Sequence, residues 1–240
     1  GGSAQVGRIT DRTLERSMSE PLGAVRMTEM FYGAERARRS EVKAQRQHVE
    51  AALTRYEWIS PSDLPLVGTG GAVRTLCAMA QRATGYPLSD VHAYSLAREV
   101  LDGLIDELIT RPVAQRRKIA GLKADRADII LAGEITIRAV RNAVSADRIE
   151  VCGQGLREGM FYEHYLAPRV PPLIADVRRS TIRNLAGNYR VDRIHADHVA
   201  RLALDIYDGT AAAGLHTPSA HEREWLWAAG LLHDIGVIVD

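Results

Sequence analysis

The chain has few aromatic residues and almost no net charge, and both shortages limit what it can be. Aromatic residues make up 5% of its 240 residues, so its core must be built mainly from leucine, isoleucine, valine and alanine. The hydrophobic share of 46% and the charged share of 25% are ordinary for a globular protein. A formal net charge of +1 gives no overall attraction for a nucleic acid duplex or an anionic membrane. We therefore expect neither as a partner, and we expect any bound anion to be held by local groups.

Cysteines and long apolar runs are also scarce. Cys77 and Cys152 lie far apart and show no metal-ligand spacing, so two reduced, buried thiols are the favoured interpretation. No apolar run approaches the roughly 20 residues that span a bilayer, and no secretory signal begins the chain. These absences predict a cytoplasmic location. Because the chain starts at Gly1 without a methionine, we expect its ends to be cuts through folded structure.

Strands and helices alternate over the first two thirds of the chain, which is typical of an α/β layered fold. A strand pair is predicted over 4–20, with further short strands over 64–67 and 148–152. Prolines then precede a nearly continuous helical pattern, so we predict an α/β domain over 1–169 and an incomplete all-α domain over 170–240. Helices are predicted over 24–32, 40–56 with Ser40 as N-cap, 72–83, 95–109, 112–118, 125–143, 155–165, 176–187, 195–208 and 219–235.

The strongest local signal is the strand, loop and helix around Gly68-Thr69-Gly70-Gly71. Glycines allow a tight turn and a close approach to a ligand, and the helix that follows points free N–H groups at an anion. A single loop of this kind is slightly more often a turn without a ligand, and the missing Lys-Ser/Thr ending excludes a P-loop. Gly1-Gly2-Ser3 is a second candidate loop. Arg157, at a third glycine-flanked helix start, could reach an anion or pair with Glu158 or a neighbouring helix.

Histidine and aspartate recur in the helical region. His195 and His198 are three residues apart and share one helix face, and His233-Asp234 ends a later apolar helix. Imidazole and carboxylate together suit a divalent metal with a bound hydroxide, although a lone His-Asp pair is common by chance. The remaining histidines show no pattern and are interpreted as structural: His48, His92, His164, His216 and His221.

Four segments, in order, resemble the exopolyphosphatase / guanosine pentaphosphate phosphatase (Ppx/GppA) family. Residues 1–3 with 21–29 are similar to its Asp-Ile-Gly-Gly-Gly-Ser-Thr-Glu phosphate loop and the segment after it. Residues 68–72 resemble its second phosphate loop, and 126–133 and 155–159 resemble its last two signatures. The resemblance implies the second lobe of an actin-like, ribonuclease H-like phosphatase fold, followed by the start of an HD-like helical domain.

The resemblance also implies an activity. Substrate would lie between two lobes, and Mg²⁺ would assist a water that attacks the terminal phosphorus of polyphosphate or guanosine pentaphosphate. The phosphate-binding residues would be Gly1, Gly2, Ser3, Gly68, Thr69, Gly70, Gly71 and Arg157. Gln5 stands where the family has a glutamate, and the general-base glutamate belongs to a first lobe outside this chain. We therefore expect the chain alone to be inactive and the whole protein to be a homodimer.

Two other functions remain open. His195 with His233-Asp234 resembles the HD signature, which implies a divalent transition metal and the alternative of an HD-type metal-dependent phosphohydrolase. The amide at Gln5 keeps a third alternative, a regulator that binds an alarmone or nucleotide without cutting it. The choice between polyphosphate and guanosine pentaphosphate stays open because both present the same terminal phosphoanhydride.

Overall fold

The structure is a computed structural model that describes residues 1–33 and 36–238. It forms two compact units, Gly1–Phe161 and Tyr162–Asp240. The division falls inside a helix, before the boundary predicted at residue 169, and residues 239–240 of the predicted second domain lie outside the described part. None of the helices in the described part has the length and apolarity needed to cross a membrane.

The first unit contains two small sheets. Strands β1 (Ala4–Thr10) and β2 (Thr13–Glu20) form the predicted strand pair, antiparallel, with Ala4 opposite Glu20. Their turn residues have φ of 49° and 65°, the left-handed values of a tight hairpin turn. The second sheet has the order β3-β5-β4, in which β3 (Val67–Gly68) runs parallel and β4 (Ser95–Ala97) antiparallel to β5 (Arg148–Val151).

Helix α6 is the centre of the first unit, since four other helices pack against it: α1, α2, α3 and α4. Gly133 of α6 allows two of them to come close, because a Cβ placed there would lie 3.1 Å from Ala72 Cβ and 3.2 Å from Ala24 Cβ. The helices are α1 (Ala24–Phe31), α2 (Arg39–Leu53), α3 (Gly71–Thr84), α4 (Arg98–Thr110), α5 (Val113–Arg116), α6 (Ile130–Ala143) and α7 (Leu156–Leu166), with a 3-10 turn at Ala124–Arg126.

Three helix predictions need correction. Ser40 is not the N-cap of α2, because the Glu41 carboxylate accepts the Arg38 N–H at 2.7 Å and the helix begins at Arg39. The predicted helix 95–109 begins as strand β4, since pairing with β5 overrides local helix propensity. The predicted helix 125–143 is a 3-10 turn followed, after a break, by α6.

The core of the first unit contains several polar side chains. Arg141 is 2% exposed and donates from Nη2 to Asp102, and Gln45 donates to the Ala132 carbonyl at 2.7 Å. Both Glu134 carboxyl oxygens and Arg116 Nη2 are buried without a hydrogen-bond partner in the described part. Burial raises the pKa of Glu134 well above its ordinary value.

The second unit is helical, with α8 (Val177–Asn188), α9 (Arg193–Ala212), α10 (Ala220–Leu232) and a 3-10 turn at Ile235–Ile238. Each of the three helices has a side-chain N-cap: Asp176, Asp192 and Ser219. The crossing of α9 and α10 is tight, because a Cβ on Gly230 would lie 2.7 Å from Ala200 Cα. The small hydrophobic core of the second unit consists of Ala186, Val191, Ala196, Ala200, Trp227 and Leu231.

Candidate functional site

The glycine loop before α3 has the geometry of an anion site. Gly70 has φ 97° and ψ 175°, which a residue with a side chain rarely adopts, and it caps α3 without any side-chain hydrogen bond. The first N–H groups of α3 are therefore left to face outward at the positive end of the helix dipole. Gly68 has no space for a side chain, since a Cβ there would lie 2.8 Å from Ile149.

The second loop lies against the start of α1. Val25 N–H donates to the Gly1 carbonyl at 3.3 Å, and Gly23 N–H donates to the Gly2 carbonyl at 3.4 Å. A Cβ on Gly23 would collide with the backbone of residues 1–3. These contacts place this second loop, Gly1-Gly2-Ser3, at the N-terminal end of α1.

The structure brings the two loops together. Ala24 begins α1 and Ala72 lies in the first turn of α3, and both contact Gly133 of α6. The N-terminal ends of the two helices are therefore neighbours. Gly1, Gly2 and Ser3 lie beside one helix start, and Gly68, Thr69, Gly70 and Gly71 form the other.

Arg126 adds a positive charge at this place. A Cβ on Gly71 would lie 2.8 Å from Arg126 Cζ, so the guanidinium covers the backbone at the start of α3. Arg126 makes no ion pair within residues 1–33 and 36–238, so its charge is available to an anion. Arg126 begins the segment 126–133 that resembles a family signature, but no local sequence pattern indicates its place over Gly71.

The segment after β5 holds the α3 loop in place. Arg74 donates to the Gly153 carbonyl at 2.9 Å, and Thr69 Oγ1 donates to the Gln154 carbonyl at 2.5 Å. The hydroxyl proton of Thr69 is thus used internally, and Thr69 offers an anion its backbone N–H. Cys152 N–H donates to the Gly68 carbonyl at 2.8 Å, which ties the same segment to the strand end.

Arg157 is exposed in the first turn of α7. The neighbouring Glu158 accepts the Gly155 N–H at 2.7 Å, and backbone donors at Glu158 and Gly155 lower the pKa of its carboxyl group. Of the alternatives left open for Arg157, neither an ion pair with Glu158 nor one with a neighbouring helix forms in the described residues. Phosphate binding by Arg157 stays a prediction.

Gln5 contacts Ser3. Its Nε2 donates to Ser3 Oγ at 2.8 Å and to Ser19 Oγ at 3.2 Å. Because Ser3 Oγ accepts here, the Ser3 O–H remains free to donate outward. A carboxylate at the same position would accept that proton instead.

The donors at the loops suit an anion better than a metal. They are backbone N–H groups, one hydroxyl and one guanidinium, whereas Mg²⁺ takes oxygen ligands. In the described part, groups of three or more ligand side chains that could hold a metal occur at His195, His233 and Asp234 and not at the loops. The residues present therefore do not make a Mg²⁺ site by themselves.

The three residues predicted as metal ligands do lie together. His195 Nε2 is 3.2 Å from His233 Nε2 and 3.6 Å from Asp234 Oδ2, and His233 Nε2 is 3.2 Å from the same carboxylate oxygen. Ligands of a tetrahedral site with metal–nitrogen bonds of about 2.05 Å are separated by about 3.3 Å. The spacing fits three ligands of one ion.

The ring of His233 is held in the tautomer that a metal needs. Its Nδ1 lies 2.8 Å from the Gly230 carbonyl, so Nδ1 carries the proton and Nε2 has a free lone pair. His198 lies elsewhere, since its Nδ1 is 2.8 Å from Arg201 Nη2.

The comparisons with known proteins cover both units. The model of the Ppx/GppA phosphatase family matches residues 1–167, and that of Ppx/GppA phosphatase, domain III, matches residues 177–240. The exopolyphosphatase 1 of Mycobacterium tuberculosis (strain ATCC 25618 / H37Rv) is 32% identical over 165 residues, which are 67% of this chain and 47% of that protein. Exopolyphosphatase 2 of Mycobacterium tuberculosis (strain CDC 1551 / Oshkosh) is 27% identical over 166 residues, 67% of this chain and 52% of that protein. The chain spans about half the length of the curated relatives it matches.

Solved structures of the same family have a similar fold. The crystal structure of the Aquifex aeolicus member of the Ppx/GppA family has a TM-score of 0.64 and 27% identity, and the match covers 70% of this chain and 55% of that one. An exopolyphosphatase from Cytophaga hutchinsonii, at 21% identity and a TM-score of 0.59 over 68% of this chain and 54% of that one, shares the fold. The predicted fold class, an actin-like α/β part followed by a helical region, is confirmed, while the HD character of the helices stays a prediction. The chain belongs to the Ppx/GppA phosphatase family.

Proposed function

We propose that the protein carrying this chain hydrolyses the terminal phosphoanhydride bond of inorganic polyphosphate or of guanosine pentaphosphate. The observation that supports this most is the meeting of two glycine loops at the adjoining starts of α1 and α3, with Arg126 over Gly71. A row of phosphates presents oxygens at regular spacing, and two neighbouring sets of donors suit such a row.

The loops would act on the charge of the reacting phosphate. An anion at the loops would meet only donors and positive charge: the N–H groups of Gly70 and Gly71, the O–H of Ser3 and the guanidinium of Arg126. Phosphoryl transfer depends mainly on positioning and on stabilising charge at the phosphoryl oxygens. The general-base glutamate and the assisting Mg²⁺ would belong to the part of the protein outside this chain, so the chain alone would be inactive.

The test is phosphate release from long-chain polyphosphate and from guanosine pentaphosphate by the whole protein, with Mg²⁺ in the buffer. Arg126→Ala is compared with Arg82→Ala, which removes an exposed arginine at the other end of α3. We expect Arg126→Ala to lower kcat/KM by about 100-fold and Arg82→Ala to leave it within about twofold. Equal activity of the two variants would contradict the role of Arg126, and the faster substrate would distinguish the two activities.

Absence of turnover in the wild-type protein with retained binding of either compound would instead support a nucleotide- or alarmone-binding regulator. The prediction of a cytoplasmic homodimer accompanies the main proposal and is tested by sedimentation and by cell fractionation.

A second candidate function is metal-dependent hydrolysis in the helical unit. The mutual distances of His195, His233 and Asp234 favour it, as does the His233 tautomer. Two imidazoles and a carboxylate suit Mn²⁺, Fe²⁺ or Zn²⁺, and the remaining coordination positions would be open to water or substrate. Such an ion would lower the pKa of a bound water and supply a hydroxide.

Titration calorimetry of the whole protein with Mn²⁺ and with Zn²⁺ tests this site. We expect His195→Ala to abolish tight binding and His198→Ala, on the same helix but hydrogen-bonded to Arg201, to preserve it. Equal binding by both variants would place the metal elsewhere. Phosphohydrolase activity that follows the metal content, and survives Arg126→Ala, would then assign hydrolysis to the helical unit.

A further inference from the structure

His92 lies outside every role assigned above, yet it touches the segment that holds the phosphate loop. Gly153 N–H donates to His92 Nδ1 at 3.2 Å. Gly153 allows this approach because a Cβ there would lie 3.1 Å from His92 Cβ. An imidazole nitrogen that accepts an N–H carries no proton, so the neutral ring has its proton on Nε2.

The backbone around His92 is held by contacts of its own loop. His92 N–H donates to Asp90 Oδ1 at 2.9 Å, and Gln81 of α3 donates to the Asp90 carbonyl at 2.7 Å. Ala93 donates to the Val151 carbonyl at 2.8 Å and has φ 61°, a left-handed value that alanine adopts only where surrounding contacts impose it. The backbone on both sides of His92 is therefore fixed by α3 and by β5, and the Gly153 N–H bonds to the ring itself.

Gly153, the partner of His92 in this hydrogen bond, is also connected to the loop before α3. The Gly153 carbonyl accepts Arg74, and the next carbonyl, that of Gln154, accepts Thr69. A shift of the 153–154 segment would release both side chains and let the loop move relative to α3. A misplacement of about 1 Å at such donors costs about two orders of magnitude in rate.

We propose that His92 is a positioning residue of the phosphate loop: its neutral imidazole accepts the Gly153 N–H and fixes the segment that anchors Arg74 and Thr69. The inference rests on the function proposed for this loop. It needs no contact between His92 and substrate.

Three substitutions in the whole protein separate hydrogen bonding from packing. Asparagine places an oxygen near the position of Nδ1, glutamine places one near Nε2, and alanine has no acceptor. We expect His92→Asn to keep kcat/KM for polyphosphate within about twofold, and His92→Gln and His92→Ala to lower it roughly fivefold to tenfold, mainly through kcat. A residue that merely fills space would be replaced better by glutamine.

Hydrogen exchange of the Gly153 amide gives a readout that does not depend on turnover. We expect exchange about tenfold faster in His92→Ala and His92→Gln and unchanged in His92→Asn. Equal exchange in all four proteins, or better activity in glutamine than in asparagine, would overturn the proposal. If the wild-type protein cuts no substrate, the proposed function fails while the exchange rates still decide the role of His92.

Discussion

The two candidate sites differ in the chemical groups that they offer to a ligand. The glycine loops of the first unit offer mainly backbone N–H groups. They need glycine because a Cβ there would collide or would require an unfavourable φ. The cluster in the second unit consists of three side chains, His195, His233 and Asp234, from the start of α9 and the residues after α10.

The difference shows what each site depends on. The loops need several elements of the first unit to be in place, among them α6 with Gly133, the 3-10 turn with Arg126 and the segment after β5 with Gly153. The cluster of His195, His233 and Asp234 needs one helix crossing, that of Gly230 on Ala200, to bring its side chains together. Backbone changes should therefore damage the first site most, and changes at one crossing should damage the second.

The largest expected effect is that of Gly70→Ala. A Cβ on Gly70 meets nothing within 4 Å, so the substitution acts through the backbone alone, at φ 97°. We expect kcat/KM for polyphosphate to fall about 100-fold as the N–H groups turn away from the anion. Gly103→Ala is the matched control, since Gly103 lies in α4 with equally open space; it should keep activity and stabilise the fold by about 0.5–1 kcal/mol. Similar activity of both variants would show that the loop conformation is not needed.

The next effect concerns the crossing in the second unit. Gly230→Ala places a Cβ 2.7 Å from Ala200 Cα, so α9 and α10 must separate and His233 moves away from His195. We expect Mn²⁺ affinity to fall between about 10- and 100-fold, measured by calorimetry. Gly209→Ala, in α9 with nothing within 4 Å of the new Cβ, should leave the affinity unchanged. An unchanged affinity in Gly230→Ala would mean that the ligands do not depend on this crossing.

Glu134 gives a smaller effect on stability. Its carboxyl group is buried without a partner, and burial raises its pKa, so the folded protein keeps a proton that the unfolded chain releases as pH rises through the ordinary carboxyl range. The loss of folding stability that this pKa difference causes is absent at acidic pH and present at neutral pH. Glu134→Met should therefore stabilise the protein by about 1–2 kcal/mol near pH 7.5 and by less near pH 5, in urea unfolding.

Glu134→Gln is the control for charge, because it keeps the size and polarity of the side chain without a titrating group. It should remove the pH dependence, so we expect it to stabilise the protein near pH 7.5 and to change little near pH 5, and to gain less than Glu134→Met at both pH values because a buried polar group without partners remains. Destabilisation by Glu134→Met at both pH values would show that the carboxyl group is ionised in the folded state and supports Arg116, the other buried group without a complete set of partners.

The sequence predicts local geometry well and long-range contacts poorly. The glycine loops were predictable because a helix start after glycines has a local signature. His195, His233 and Asp234 were predictable from the family pattern, whereas helix spacing alone pairs His195 with His198, which lies apart from the cluster. Arg126 over Gly71 and His92 against Gly153 join segments far apart in the chain, and no spacing rule reveals such pairs. The same reason explains β4. Its residues have a helical sequence pattern, and they form a strand because they pair with β5, which is distant in the chain.

The smallest expected effect is that of Gln5→Glu. The amide donates to Ser3 Oγ and leaves the Ser3 O–H to an anion, whereas a carboxylate would accept that proton and add a negative charge beside the loop. Without divalent metal, we expect the dissociation constant of tripolyphosphate to rise about threefold in Gln5→Glu, and less in the uncharged Gln5→Met. Tighter binding by the glutamate variant in the absence of metal would contradict this account of Gln5. If Gln5→Glu binds more tightly only when Mg²⁺ is added, the glutamate of the family acts through the metal. In this chain, a contact to the metal would then be replaced by a direct hydroxyl donor.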